Sequence, residues 1–359
     1  MDTLMNVLVT DDSAFMRRAI TKMIESHSDM RVIATARSGE EAVAKALQLN
    51  PDVITMDVEM PGIGGLEAVR QIVAGRSIPI IMCSSLTREG AETTFRALEL
   101  GAVDFITKPD AAYVNINDVA RDLIEKIRAV ARTGSHPRIQ TLAPVSQPHT
   151  ILPPPRPASR PLRDARYQCV AIGTSTGGPV ALSHVIPRLP ADFPAPVLIV
   201  QHMPLGFTRP LADRLNAQSA IAVHEAVNGM VLQPSTALVV PSGKQIMLRR
   251  SAAGETEVRL REDDGSSLHV PSVDVLMEEV AALYGRAALA VILTGMGQDG
   301  VRGLRDLKAR GGYVVGQDEG TCVVYGMPRA AAKEGLVDRV ARLDEVAGLL
   351  SELTNVSKS

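Results

Sequence analysis

A chain of 359 residues, 45% hydrophobic and 22% charged, carries enough material for two domains with separate cores. Its formal net charge of −2 at pH 7 gives no electrostatic drive toward nucleic acid or an anionic membrane surface, and no apolar run approaches the ~20 residues of a membrane span. With no tryptophan and 3% aromatics it has little for stacking unpaired bases. Cys83, Cys169 and Cys322 lie far apart without metal-ligand spacing and read as reduced, partly buried thiols. Met1-Asp2-Thr3 has no basic stretch ahead of an apolar core, so a cytoplasmic protein is expected, with no membrane insertion.

Strand and helix signals alternate through residues 1–131. Apolar strand candidates fall at 6–10, 32–35, 53–56, 79–82 and 103–106, and amphipathic stretches at 14–25, 40–49, 65–74, 89–100 and 117–130. Apolar residues in the latter recur at three and four, as in Ile20, Met23 and Ile24. Five strand–helix units imply a parallel sheet with helices on both faces. From 132 to 166 the texture changes: Pro137, Pro144, Pro148, Pro153, Pro154, Pro155, Pro157 and Pro161 crowd a basic segment without period. Such density gives an extended tether; the alternative is a proline-motif ligand around Pro154-Pro155-Arg156-Pro157.

Residues 167–359 are again mixed. Helices are expected at 178–188, 207–216, 272–284, 301–310 and 343–353, and strands at 169–173, 197–200, 237–240, 245–248, 257–260, 289–293 and 313–316. Between 239 and 260, Ser242-Gly243 and Gly254 read as turns of antiparallel hairpins at one edge. The expected fold is α/β: an N-terminal (βα)5 domain, then a doubly wound, mainly parallel C-terminal sheet with an antiparallel hairpin edge.

Two constellations fall on strand ends, where open α/β folds place their sites. In the first domain these ends carry Asp11 and Asp12, Asp57, Ser84 and Lys108. Three close carboxylates need a cation, and a hard ion such as Mg²⁺ suits oxygen ligands. A carboxylate beside it can accept a phosphoryl group, while Lys108 neutralises and Ser84 hydrogen-bonds phosphoryl oxygens. In the second domain, Gly173-Thr-Ser175-Thr-Gly177 lies between strand and helix, Gln201-His202 ends the next apolar run, and Thr294-Gly-Met-Gly-Gln-Asp299 follows another. The glycine pattern alone also suits a dinucleotide phosphate, but that reading wants an acid where His202 stands. A serine, an imidazole and a carboxylate are the parts of a nucleophilic hydrolase, and the Met296 amide with a serine-loop amide can stabilise an oxyanion. His184, His224 and His269 carry less weight for a direct role.

Thr10-Asp-Asp-Ser13, Met56-Asp-Val-Glu-Met-Pro61, Cys83-Ser-Ser-Leu-Thr87 and Gly101-Ala-Val-Asp-Phe-Ile-Thr-Lys-Pro109 resemble the receiver domain of bacterial response regulators. The resemblance implies Asp57 as phosphoacceptor; Asp12, Asp57 and Glu59 about Mg²⁺; Asp11, Ser84 and Lys108 in support; Phe105 as switching aromatic; and a cis Lys108–Pro109 bond. Gly62-Ile-Gly-Gly65 departs from the usual Asp-Gly there. Ile172-Gly-Thr-Ser-Thr-Gly-Gly178, Gln201-His-Met-Pro204, Leu293-Thr-Gly-Met-Gly-Gln-Asp-Gly300 and Gln317-Asp-Glu-Gly-Thr-Cys-Val-Val-Tyr-Gly-Met-Pro328 resemble the catalytic domain of the chemotaxis methylesterase family, CheB. Leu205 and Gln298 replace a common proline and asparagine.

The second resemblance implies demethylation of glutamyl methyl esters, and deamidation of glutamines, on methyl-accepting chemotaxis receptors, with a chemotaxis histidine kinase as phosphodonor. Ser175 would be nucleophile, His202 base, Asp299 its partner and Met296 an oxyanion donor, with no cofactor at that site. The unphosphorylated receiver is expected to pack near the Ser175 cleft. Rival readings are a phosphorylation-gated binding protein and a dinucleotide enzyme; a DNA-binding output lacks a basic helix-turn-helix pattern.

Overall fold

The computed structural model describes residues 4–85, 87–108, 116–131 and 167–354. The expected tether at 132–166, and Pro109 with its peptide bond, lie outside these residues.

The first unit runs β1 (Met5–Thr10), α1 (Ala14–Glu25), β2 (Met30–Ala36), α2 (Gly39–Leu49), β3 (Val53–Asp57), α3 (Gly64–Gly75), β4 (Ile80–Ser84), α4 (Arg88–Glu99), β5 (Asp104–Thr107) and α5 (Ile116–Ala131). Short polar residues start the helices: Ser13, Ser38 and Thr87 accept the amides of Met16, Glu41 and Gly90. Met16, Ile20 and Ile24, spaced by four, give α1 one buried face. The five strands are parallel in the order β2-β1-β3-β4-β5. β3 and β4 are buried on both faces, which is why they read as unbroken apolar runs. The order reverses between β1 and β3, and that crevice receives Asp11, Asp12 and Asp57.

The unusual Gly62–Gly65 stretch has its own solution. Gly62 and Gly64 take φ of +79° and +71°, and the Glu40 carboxylate accepts the Ile63 amide at 3.0 Å where α3 lacks a side-chain cap. A side chain at Gly65 would sit 2.1 Å from the Asp57 carbonyl oxygen, so only glycine lets α3 start so close to the strand end.

The second unit runs β6 (Cys169–Thr174), α6 (Gly178–Val185), β7 (Val197–Gln201), α7 (Thr208–Gln218), β8 (Ala222–Glu225), β9 (Thr236–Val239), β10 (Gln245–Arg250), β11 (Thr256–Arg261), α8 (Val273–Tyr284), β12 (Ala288–Ile292), α9 (Val301–Ala309), β13 (Tyr313–Gln317), α10 (Met327–Lys333), β14 (Arg339–Ala341) and α11 (Leu343–Thr354). Seven parallel strands lie in the order β14-β13-β12-β6-β7-β9-β8. The expected hairpin edge needs one refinement. β9 belongs to the parallel sheet, and β10 and β11 pair antiparallel as a separate ribbon packed on α8, with one further antiparallel bridge from Val231 to Glu257. The chain leaves β6 toward β7 on one side and returns to β12 on the other, so the crevice lies around the end of β6.

The two units touch. Phe105, buried on β5, lies 4.6 Å from the ring of Phe207 and 6.2 Å from that of Phe95. Glu99 on α4 pairs with Arg214 and accepts from Gln218, both on α7.

Candidate functional sites

At the first crevice the carboxylates of Asp11, Asp12 and Asp57 lie within 4.8 Å of one another. Lys108 Nζ stands 2.8 Å from Asp57 Oδ1 and 3.4 Å from Asp11 Oδ2. Burial raises the Asp57 carboxyl to about 6 with help from Asp11, against the pull of Lys108. Asp11 is also raised, chiefly by burial. Asp57 Oδ2 is buried with no hydrogen-bond partner among the described residues. Two raised carboxyls, an orphaned oxygen and a third acid at the mouth are a donor set that fits a divalent hard cation. Glu59 enters differently from expectation: its carboxylate is not in the group, and it meets Asp57 through its amide, which donates at 3.2 Å. Ser84 is buried with its hydroxyl donating to the Gly90 carbonyl at 3.1 Å, at the base of α4.

At the second crevice the register Thr174↔Gln201 between β6 and β7 puts Ser175 and His202 one step beyond a matched pair. The His202 amide donates to Thr174 O at 3.1 Å, and the Gln201 side chain bridges the carbonyls of Ser175 and His202 at 3.0 and 2.7 Å. The Ser175 amide donates to Thr294 O at 3.1 Å, tying the serine loop to the segment after β12. His202 Nε2 lies 2.7 Å from Asp299 Oδ2. A carboxylate only accepts, so Nε2 carries the proton and Nδ1 is left as the basic atom. That Nδ1 is buried and has no hydrogen-bond partner among the described residues.

Asp299 is held from four directions. Besides His202, its oxygens accept from the Val273 amide at 2.7 Å, the Asp274 amide at 3.0 Å and the Ser272 hydroxyl at 3.0 Å. These donors are the cap and first turn of α8, where the helix dipole favours an anion. Burial pushes the Asp299 carboxyl up, but His202 and the two amides hold it well below its ordinary value. Met296 lies in the turn before Gly297, which takes φ of +82°, and its amide has no acceptor among the described residues. The serine loop runs through Gly177, at φ +78°, into the N-terminus of α6.

Both units are similar to known proteins. The pattern of the CheB methylesterase family matches residues 170–350, and that of the response regulator receiver domain matches residues 7–115. The protein-glutamate methylesterase/protein-glutamine glutaminase of Halalkalibacterium halodurans is 44% identical over 97% of each chain. The Bacillus subtilis protein of the same name is 43% identical, over 97% of this chain and 98% of its own. The chain belongs to the CheB methylesterase family. The crystal structure of the CheB methylesterase catalytic domain of Thermotoga maritima, 40% identical, covers 52% of this chain and 99% of its own with a TM-score of 0.51.

In this CheB-family chain, several residues that serve the site escaped sequence reasoning. In the sequence Gln201 shows only as a neighbour of His202, yet its side-chain amide ties the Ser175 and His202 loops together. Ser272 and Asp274 gave no signal beyond a helix start; Asp274 Oδ1 accepts the amides of Gly300 and Gly303 at 2.9 Å each and so shapes the Asp299 loop. Thr294 links the serine loop to the 321–325 segment through Thr176 O and the Val324 amide. His184 pairs with Arg188 on the far end of α6, and His224 is exposed on β8, so neither reaches the site. His269 is different: its ring stacks on His202 with centroids 4.1 Å apart. Cys83, Cys169 and Cys322 are all free and buried, their thiols pushed up by burial and so inert. No helix among the described residues is long and apolar enough to cross a membrane.

Proposed function

We propose that the chain hydrolyses γ-glutamyl methyl esters, and deamidates glutamine side chains, on methyl-accepting chemotaxis receptors, under control of phosphorylation at Asp57. The observation that supports the hydrolytic half is the state of His202: Nε2 is committed to Asp299, Nδ1 is buried without a hydrogen-bond partner among the described residues, and His202 and Ser175 each follow one member of the matched pair Thr174↔Gln201. The names of the relatives supply the substrate class.

His202 Nδ1 takes the Ser175 hydroxyl proton as Oγ attacks the side-chain carbonyl. The imidazolium is stabilised by Asp299, which stays ionised. The tetrahedral oxyanion is met by the Met296 amide and an amide of the serine loop, with the α6 N-terminus behind them. Collapse transfers the His202 proton to the leaving methoxide, or to the amide nitrogen of a glutamine, so methanol or ammonia departs. Water, deprotonated by the same nitrogen, then cleaves the acyl-serine and leaves a glutamate carboxylate. These steps use side chains and amides alone.

Asp57 accepts a phosphoryl group from a chemotaxis histidine kinase. Asp11, Asp12 and Asp57 would hold Mg²⁺, which when bound neutralises charge gathered around the phosphoryl oxygens. Lys108 pairs with the acceptor, and Ser84 and Phe105 carry the change toward the interface with α7. Docking of the receiver over the catalytic unit would restrain a bulky receptor helix on the cytoplasmic side and loosen on phosphorylation. A fluorophosphonate serine probe tests the catalytic half: it should label Ser175, and His202→Ala should slow labelling by at least about 100-fold. Labelling that ignores His202 would reject the proposed base.

A further inference from the structure

Asp299 grips His202 at one ring nitrogen, and a single contact at the ring edge is a weak restraint on the Cβ–Cγ torsion that sets the ring plane. Twisting about that bond would displace Nδ1. The stacked ring of His269 addresses that freedom: the two planes lie 18° from parallel with centroids 4.1 Å apart. Among the described residues the His269 ring nitrogens make no hydrogen bond, so its face is what contacts the base. Burial and the neighbouring His202 push the His269 imidazole down to about 4, so it lies neutral against a ring that must gain a proton.

The same bracket ties both grips together. Fully buried Gln245 donates through Nε2 to the His269 carbonyl at 3.0 Å and to Asp263 at 3.1 Å. Its Oε1 accepts the Ser272 amide at 2.9 Å, and the Ser272 hydroxyl donates to Asp299 at 3.0 Å. One side chain thus fixes the residue on the face of His202 and the cap that holds the residue on its edge.

We propose that His269 is a positioning residue for His202, fixing the plane of the base so that Nδ1 stays aimed at Ser175. This rests on the hydrolase reading above and adds a group to it. The aromatic face is the requirement, since no ring nitrogen is engaged, so phenylalanine should substitute and alanine should not.

The test uses the full chain with Mg²⁺ and acetyl phosphate, because Arg121 and Asp122 of the receiver act electrostatically on His269 and docking must not vary between samples. The substrate is a small γ-glutamyl methyl ester peptide. His269→Ala should lower kcat on the order of 10- to 100-fold, with KM within about twofold, as expected when a catalytic group is misplaced rather than binding lost. His269→Phe should return kcat to within about threefold of the parent. If the alanine chain does not fold, His269→Asn, planar but without a ring face, takes its place in the comparison. An alanine or asparagine chain with parental kcat, or a phenylalanine chain as slow as they are, overturns the proposal. A parent chain that turns over no ester and whose Ser175 no serine probe labels overturns the hydrolase reading itself, a result separable from either of these.

Discussion

A histidine base must keep one nitrogen protonated and the other open, and for His202, the proposed base, that division is made by its neighbours. Asp299 fixes the protonated nitrogen, and the α8 cap fixes Asp299. Ser175→Ala should remove nearly all turnover, on the order of 10⁶ in kcat, read by ester hydrolysis. Asp57 makes a prediction of a different kind. Its carboxyl is raised from 3.8 to about 6, first by burial. Folded-state ionisation is therefore disfavoured relative to the unfolded chain. The penalty, on the order of 2–3 kcal/mol, is complete above about pH 6, shrinks between 6 and 3.8, and vanishes below. Asp57→Asn should raise the receiver's Tm near pH 7.5, and the two chains should converge near pH 4. Equal Tm values near pH 7.5 would contradict the burial argument.

At the scale of elements, the sites were legible because parallel strands end in chemistry. β1, β3, β6 and β7 are apolar runs that stop at Asp11, Asp57, Ser175 and His202, and register does the rest. Less legible were β8 and β14, the two edge strands of the large sheet, and the short helix α10. β14 buries only Ala341, so edge pairing leaves almost no apolar signal to read. Supporting polar contacts were equally silent: Ser272, Gln245 and Thr294 lie far in sequence from the residues they hold. Glycine gives a further test here. A side chain at Gly178 would stand 1.8 Å from Gln201 Oε1. Gln201 can move away only by releasing the carbonyls of Ser175 and His202, so Gly178→Ala should cut kcat at least about 10-fold while the sheet persists by circular dichroism. Parental kcat would show that Gln201 does not hold the loops.

Across the whole molecule the proposed consequence is coupling. β5 and α4 of the receiver meet α7 through Phe105, Phe207, Glu99 and Arg214, and α7 follows the His202 loop directly. Glu99→Lys places like charges at that contact and should raise unphosphorylated activity toward intact receptors several-fold, with the phosphorylated rate little changed. An unchanged ratio of the two rates would place the control elsewhere. The resemblance visible in the sequence covered both units and their order, but not which faces meet, since that depends on surface side chains without periodic pattern. The most direct measurement is methanol release from methylated chemoreceptors by the full chain with a small phosphodonor, set beside Ser175→Ala. Release by the parent chain and none above background by the variant is the predicted result; equal release from both, in folded protein, would contradict it.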